Sequence, residues 1–252
     1  MATVQAKRRK TNSVPASNAS VRARRGRPAK DDVSMADRRS RIIEVATRRF
    51  AETGFEATTV RQIADDVNIL SGSLYYHFDT KDDILHAIVR DAIEQMRDNA
   101  VRISKAPVDA EHRLVALVML NLGELTRNQR VYAILYHERK FFRGTQDFAY
   151  VVKAKKEAYL AWKAVFEDGI RDGLFDPHLD IYLTITTILR MLNMAADWYR
   201  NDPESVDLVG DYQLDQLQDF HLNFALRAVR PPHRITEPIP RKACEDLARF
   251  RT

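Results

Sequence analysis

Hydroxyl groups, phenol rings and one imidazole are concentrated in a short segment near residue 75. Leu74 and Phe78 are four residues apart, the spacing that places two side chains on one side of a helix. If these two side chains anchor the segment to a core, five others point outward: Ser71, Ser73, Tyr75, Tyr76 and His77. Such a face suits the major groove of DNA, where each base pair presents its own donors, acceptors and thymine methyl group. The alternative is that the two tyrosines only pack against the protein.

Helical signals on both sides of this segment would position it. An apolar stripe of Ile42, Ala46 and Phe50 predicts a helix from about Asp37 that ends at Gly54. The sequence Thr59-Val60-Arg61-Gln62 has the form of a capping box and predicts a short helix over 60–67. A polar break at 68–71 leads to a third helix that runs through Phe78, and Thr80-Lys81-Asp82-Asp83 predicts the start of a fourth. Three short helices with a tight polar turn indicate a helix-turn-helix.

The stretch from Gly54 to Leu85 carries Gly54-Phe55, Thr58-Thr59-Val60, Ile63-Ala64, Gly72-Ser73-Leu74-Tyr75-Tyr76-His77-Phe78 and Lys81. It closely resembles the signature of TetR-family transcriptional regulators, which here covers about positions 36 to 96. The resemblance implies a three-helix DNA-binding unit, a connecting fourth helix, and a C-terminal helical domain that dimerises and encloses a small effector.

The resemblance also assigns roles to individual residues. Thr59 and Arg61 would meet phosphates and base edges, and Lys81 would clamp a phosphate. Six residues would face the operator: Ser71, Gly72, Ser73, Tyr75, Tyr76 and His77. The alternatives are that Thr59 is only a helix cap, Arg61 a solvated charge and Gly72 a turn residue.

The formal net charge of +5 is unevenly distributed along the chain. Residues 1–30 contain nine of the 40 Lys and Arg and none of the 35 acidic residues, so the rest has 40 − 9 = 31 basic against 35 acidic groups, a net −4. Within the tail, Arg25 and Arg27 flank Gly26, an arrangement that fits a narrow minor groove. The alternative is a solvated basic tail. We expect residues 1–35 to form a flexible basic arm beside a DNA-binding domain over 36–96.

Several classes of protein are excluded or disfavoured. The spacing of the eight glycines forms neither a G-x-G-x-x-G nor a G-x-x-x-x-G-K-[ST] loop, so nucleotide sites of those kinds are absent. A single cysteine, Cys244, makes no internal disulfide, and together with the lack of a secretory signal or a membrane span it favours the cytoplasm. His137-Glu138 lacks the second histidine of a zinc motif because position 141 is Phe141. No catalytic set at productive spacing is evident, so we expect neither an enzyme nor a bound cofactor.

The C-terminal half shows further long helical patterns at about 109–127, 129–142, 146–172, 179–200 and 206–229. The fold class is therefore all-α, with a helical effector and dimerisation domain over 97–230 and a loose tail over 231–252. The last two long helices predict the dimer interface, an isologous four-helix contact with the same pair in a second copy. The final helix carries Leu214, Leu217, Phe220 and Phe224 on one side.

A pocket in this half would use the rings Tyr136, Trp162 and Trp198, although most rings there belong to the core. Arg190 is the one charged residue between Ile181 and Ala196, a stretch that otherwise predicts a buried helix. A charge embedded there would either pair with an internal carboxylate or await an anionic ligand. Candidate carboxylates are Asp197 and Glu138, and Asn193 would lie on the same face.

A further segment combines cationic and aromatic side chains, Arg139-Lys140-Phe141-Phe142-Arg143, and three lysines follow about ten residues later: Lys153, Lys155 and Lys156. They would border a cavity for a phosphate-bearing acyl-CoA or form a solvated face. The 69–74 turn and the 182–203 region also resemble actinobacterial repressors of steroid and fatty-acid breakdown that respond to CoA thioesters.

The sequence thus predicts a homodimeric repressor that a small hydrophobic, acyl-CoA or steroid-derived effector releases from a palindromic operator. The alternatives are an architectural DNA-binding protein that uses its basic tail, and a helical-bundle enzyme.

Overall fold

The computed structural model describes residues 29–198 and 212–249, with side chains from 35 to 195 and from 212 to 249. Its α-helices are α1 (Ala29–Thr53), α2 (Val60–Val67), α3 (Ser71–Leu74), α4 (Lys81–Ser104), α5 (Ala110–Arg127), α6 (Gln129–His137), α7 (Arg139–Gly144), α8 (Ala149–Arg171), α9 (Ile181–Trp198), α10 (Leu214–Val229) and α11 (Arg241–Cys244). Short 3-10 turns occur at Gln146–Phe148 and Pro232–Arg234. The described ranges contain no strand, and the all-α prediction is confirmed. None of the described helices combines the length and apolarity needed to cross a membrane.

The helix ends near the chain's N-terminus follow the predicted caps. Thr59 caps α2 by accepting from the amide of Gln62, and Thr80 caps α4 by accepting from the amide of Asp83. Gly54 ends α1 with φ +88°, a left-handed conformation that glycine adopts without strain. The start of α1 differs, because the helix begins at Ala29 rather than at Asp37. Residues 29–35, assigned above to the arm, are therefore helical, and Arg25 and Arg27 lie outside the described residues.

The third helix is shorter than predicted. Regular α-helix covers Ser71–Leu74, and the chain continues to Phe78 in turns, with the amides of His77 and Phe78 both donating to the carbonyl of Leu74. Leu74 and Phe78 are buried as expected. The anchoring therefore holds the segment against the bundle even though the helix itself ends early.

The core of the first three helices extends into the C-terminal half. Ile42, Phe50 and Leu74 belong to the same buried cluster as Phe142 and Phe148. Helix α4 also passes the predicted domain boundary after Met96 without interruption. The predicted DNA-binding unit and α6–α8 therefore share one core.

The C-terminal half departs from the predicted pattern in two places. The pattern over 129–142 is broken at Glu138, which separates α6 from α7. Residues 231–249, assigned above to a loose tail, pack against α5 instead. Arg230 forms a buried ion pair with Glu111 at 2.5 Å, and Cys244 is fully buried. The buried pair fixes the start of this segment, because an unpaired charge there would be costly.

The predicted dimer stripe on α10 divides between core and surface. Leu217 is buried and Leu214 packs against the same core, whereas Phe220 and Phe224 are exposed. Helix α9 also exposes large apolar side chains, Tyr182, Leu183 and Met194.

Candidate nucleic-acid interface and effector cavity

The turn between α2 and α4 presents the predicted DNA-facing side chains on its outer surface. Tyr76 is 85% exposed and Tyr75 51% exposed, while Gly72 is open to solvent. Ser71, Ser73 and His77 are half-buried. The exposed pair of phenol rings stands on a segment that buried Leu74 and Phe78 hold in place. The structure thus gathers these six residues in one segment, and their contact with DNA stays a prediction.

Thr59 and Arg61, the two residues at the start of α2 that are predicted to contact DNA, differ in how far their side chains are engaged by the protein itself. The Thr59 hydroxyl is engaged in the capping box, with the amide of Gln62 donating to it at 3.2 Å. The Arg61 side chain is 84% exposed, and its only ion-pair contact among the described residues is a 3.9 Å approach to Asp65. Arg61 can therefore reach a phosphate at little cost, because so loose a surface pair contributes little stability.

Lys81 holds the loop that precedes α2. Its Nζ donates to the carbonyl oxygens of Phe55 at 2.7 Å and Thr58 at 2.9 Å, with that of Glu56 at 3.4 Å. The ammonium also lies 4.2 Å from the centre of the Phe55 ring. Burial lowers the pKa of Lys81, against the raising effect of neighbouring acids such as Asp82. A phosphate contact by Lys81 stays a prediction, and it would require the ammonium to leave at least one carbonyl.

Glu138, at the break between α6 and α7, reaches the same loop from the other side. The amide of Phe55 donates to Glu138 Oε1 at 2.8 Å, and the rings of Phe55 and Phe141 are 4.7 Å apart. A side chain at Gly54 would contact the same carboxylate oxygen. Glu138 therefore contacts the loop rather than Arg190, for which it was a candidate partner. Sequence spacing gave no sign of this contact because 83 residues separate its two ends.

An internal cavity of about 240 Å³ lies among α4, α5, α6, α8 and α9. Most of its lining is apolar, with side chains such as Ile93, Leu117, Leu120 and Ala158. Three of the predicted effector residues line it: Tyr136, Trp162 and Asn193. Trp198 is the last residue of α9, and its side chain lies outside the described residues.

A second, more open cavity of about 380 Å³ adjoins the first and is strongly basic. The two share Leu135, Tyr136, Lys155, Leu189 and Asn193. The second cavity, here called the cationic mouth, is lined by five cationic side chains: Arg139, Arg143, Lys155, Lys156 and Arg190. No acidic residue is found among its described lining residues.

Arg190 is an exposed residue of the cationic mouth, so the expectation that it is embedded in a buried helix is wrong. The reason is that α9 is buried along one side only, as its exposed Tyr182 and Met194 show. Arg190 makes no ion pair among the described side chains, and that of Asp197 lies outside them.

Lys155 stands where the apolar cavity meets the cationic mouth. Its Nζ donates to the carbonyl of Leu135 at 2.6 Å. Burial, together with the nearby positive charges of Arg143 and Arg139, lowers the pKa of Lys155 to about 8. The crowding of like charges means that an anion bound here would relieve repulsion as well as form new contacts.

Comparison with known proteins gives consistent matches along the chain. Residues 42–88 match the model for bacterial regulatory proteins of the tetR family, and residues 107–229 match the model for a tetracyclin repressor-like C-terminal domain. The HTH-type transcriptional repressor KstR2 of Rhodococcus jostii (strain RHA1) is 31% identical over 206 residues, spanning 82% of this chain and 98% of the relative.

Solved structures agree with the sequence matches. The structure of the ketosteroid transcriptional regulator KstR2 of Mycobacterium tuberculosis superimposes with a TM-score of 0.70 at 28% identity, over 77% of this chain and 95% of that one. A probable transcriptional regulatory protein, RHA5900, gives a TM-score of 0.68 at 30% identity, over 77% of this chain and all of that one (100%).

The exposed tyrosine face yields a first test. Replacing Tyr75 by alanine should weaken binding to a specific operator by about 1–3 kcal/mol, because it removes contacts to base edges. The measurement is a titration of labelled operator by fluorescence anisotropy. Leu160→Ala on α8 is the control, since Leu160 is 49% exposed against 51% for Tyr75. Equal operator affinity in the two variants would remove Tyr75 from the interface.

Proposed function

We propose, from the premise that this chain belongs to the TetR family of bacterial regulatory proteins, that it is a homodimeric repressor released from its operator by an acyl-CoA thioester. The observation that carries the effector class is the apolar cavity that opens into a mouth lined by five cationic side chains. A CoA thioester has the same two parts, an apolar acyl group and a group bearing several phosphate charges. Because a relative is described as a ketosteroid regulator, a steroid-derived acyl group is one candidate.

Operator recognition requires two copies of the exposed tyrosine face. In a two-fold dimer, recognition segments about 34 Å apart reach half-sites one helical turn apart on the same face of DNA. Exposed Phe220 and Phe224 on α10, with Tyr182 and Met194 on α9, supply an apolar surface for this dimer. The interface is then the isologous contact of α9 and α10 with their mates.

Release follows from the chain of contacts between the cavities and the helix-turn-helix. Leu135 and Tyr136 at the end of α6 line both cavities, and Lys155 holds the carbonyl of Leu135. A few residues later, Glu138 holds the amide of Phe55. An effector that engages Lys155 displaces the end of α6, and the displacement reaches the loop before α2. The effector needs only a few kcal/mol of differential affinity between the two states.

Selection of genomic DNA fragments by the purified protein tests the proposal at about 150 mM salt, where non-specific phosphate attraction is weakened. We expect a two-fold symmetric site bound by a dimer and released by dodecanoyl-CoA. Dodecanoate plus free CoA is the control, since it supplies the two parts unlinked. Recovery of no specific site would contradict the regulator, and turnover of the thioester would favour an enzyme. Specific binding that depends wholly on residues 1–30 would favour the architectural alternative.

The position of Arg190 yields a prediction. Arg190→Met should weaken dodecanoyl-CoA binding about tenfold, the loss of one charge-assisted contact, and leave operator affinity without effector unchanged. Isothermal titration calorimetry measures the first quantity and operator titration the second. Lys153→Met is the control, because Lys153 is an exposed cation on α8 outside both cavity linings. Equal losses in both variants would show a general charge effect and no contact at Arg190.

The lowered pKa of Lys155, about 8, predicts how effector binding depends on pH. A bound anion stabilises the ammonium form and raises its pKa, so near and above pH 8 the complex holds more protons than the free protein. Affinity should therefore be steady between about pH 7, above the second pKa of a phosphate monoester near 6, and pH 8, and fall as pH rises further, by at most about one decade per pH unit. Calorimetry with the hydrolysis-resistant thioether S-dodecyl-CoA measures the profile. A Lys155→Met variant with the same slope would refute this origin.

The contact between Glu138 and Phe55 yields a prediction about coupling. Coupling between two binding sites usually changes the affinity at one site by about 5- to 150-fold when the other is occupied. Glu138→Ala removes the contact with Phe55, so in this variant we expect dodecanoyl-CoA to leave operator affinity nearly unchanged. Glu138→Gln is the matched control, because its amide oxygen can accept the same hydrogen bond from Phe55. Operator affinity is measured with and without the thioester for each protein. Full release of the alanine variant would exclude this route.

A further inference from the structure

The end of the apolar cavity away from the cationic mouth has polar side chains of its own. Asn99, Asn121, Glu124 and Tyr132 line the cavity, and none of them lines the mouth. They come from α4, α5 and α6, and are here called the inner polar cluster. A cluster of this kind is unexpected in a cavity that only holds a hydrocarbon, since buried polar groups need partners.

Glu124 and Tyr132 supply an acceptor and a donor. Glu124 is 5% exposed and its Oε1 accepts from Arg127 Nη1 at 2.8 Å, so the carboxylate is buried and held in place. Burial raises the pKa of Glu124, while the charge of Arg127 lowers it. Burial also raises the pKa of the Tyr132 phenol, which therefore keeps its proton and can donate.

Asn121 carries the clearest sign of a missing partner. Its Oδ1 is inaccessible to solvent and accepts no hydrogen bond from any described residue. An unsatisfied buried acceptor lowers the stability of the protein, and a bound group that donates a hydrogen bond to it removes that cost. In contrast, the amide oxygen of Asn99 accepts from Arg102 Nη2 at 3.2 Å.

We infer that the inner polar cluster binds a hydroxyl group carried by the effector's acyl part, at the end remote from the thioester. The inference rests on the proposed function, since it places the CoA phosphates in the cationic mouth. A hydroxyl fits better than a carbonyl because it both donates and accepts. It can donate to the Glu124 carboxylate and accept from the Tyr132 phenol, and rotation of the Asn121 amide would bring its Oδ1 within reach of the same donor. A carbonyl has no proton to donate to either acceptor.

The test compares octanoyl-, decanoyl- and dodecanoyl-CoA with their ω-hydroxy counterparts by calorimetry on the full chain. At the length that reaches the inner polar cluster, the hydroxylated thioester should bind at least about tenfold more tightly, because its unsubstituted analogue leaves buried polar groups unpaired. Equal affinities at every length would overturn the inference and leave the proposed function standing. Failure of every thioester to bind would overturn both. Tighter binding of the matching methyl ketones would overturn the choice of hydroxyl.

Single substitutions test whether the inner polar cluster causes the preference for the hydroxylated thioester. Asn121→Leu and Tyr132→Phe should each remove most of the preference for the hydroxylated thioester, measured in each protein as the ratio of the dissociation constants of the two thioesters. Tyr132→Phe deletes one oxygen only, so it provides the result if Asn121→Leu folds poorly. Asn193→Leu is the matched control, because Asn193 is shared with the cationic mouth and should not affect the preference. A preference that survives both cluster variants would contradict the assignment.

Discussion

The backbone loop between α1 and α2 is held by side chains from two different helical layers, and the position of the helix-turn-helix depends on that attachment. Lys81 at the start of α4 binds its carbonyls, and Glu138 between α6 and α7 binds its amide at Phe55. A lysine ammonium can only donate hydrogen bonds and a carboxylate can only accept them. Lys81 therefore satisfies backbone carbonyls of the loop, and Glu138 satisfies a backbone amide of the same loop. Because Thr59 in this loop also caps α2, a shift of the loop would also shift α2, which begins at that cap.

In the C-terminal half, cationic side chains are grouped at the cationic mouth, whereas the adjoining cavity is mostly apolar. The chain outside its basic tail is net acidic, yet five cations surround the cationic mouth. Local arrangement therefore matters more than bulk charge for binding an anion. Lys155 links the cavities to the loop attachment. It lines both cavities and donates to the carbonyl of Leu135, which lies three residues before Glu138 in the sequence.

The sequence predicted what depends on local periodicity and capping. The capping boxes at Thr59 and Thr80, the stop at Gly54 and the burial of Leu74 and Phe78 are all local patterns, and the structure has them. Contacts between distant segments could not be predicted in this way. The Glu138–Phe55 hydrogen bond, the Lys81 contacts and the packing of residues 231–249 depend on tertiary placement. The exposure of Arg190 could not be predicted either, because its apolar neighbours in the sequence indicate an otherwise buried helix, whereas α9 is buried on one side only.

We propose that operator and effector bind to alternative states of one coupled molecule. The most direct test of this proposal is the affinity of the protein for dodecanoyl-CoA, measured with and without saturating operator DNA. We expect weaker binding in the DNA complex, by the same factor by which the thioester weakens operator binding, because coupling free energy is reciprocal. Equal affinity in the free and DNA-bound protein would contradict it.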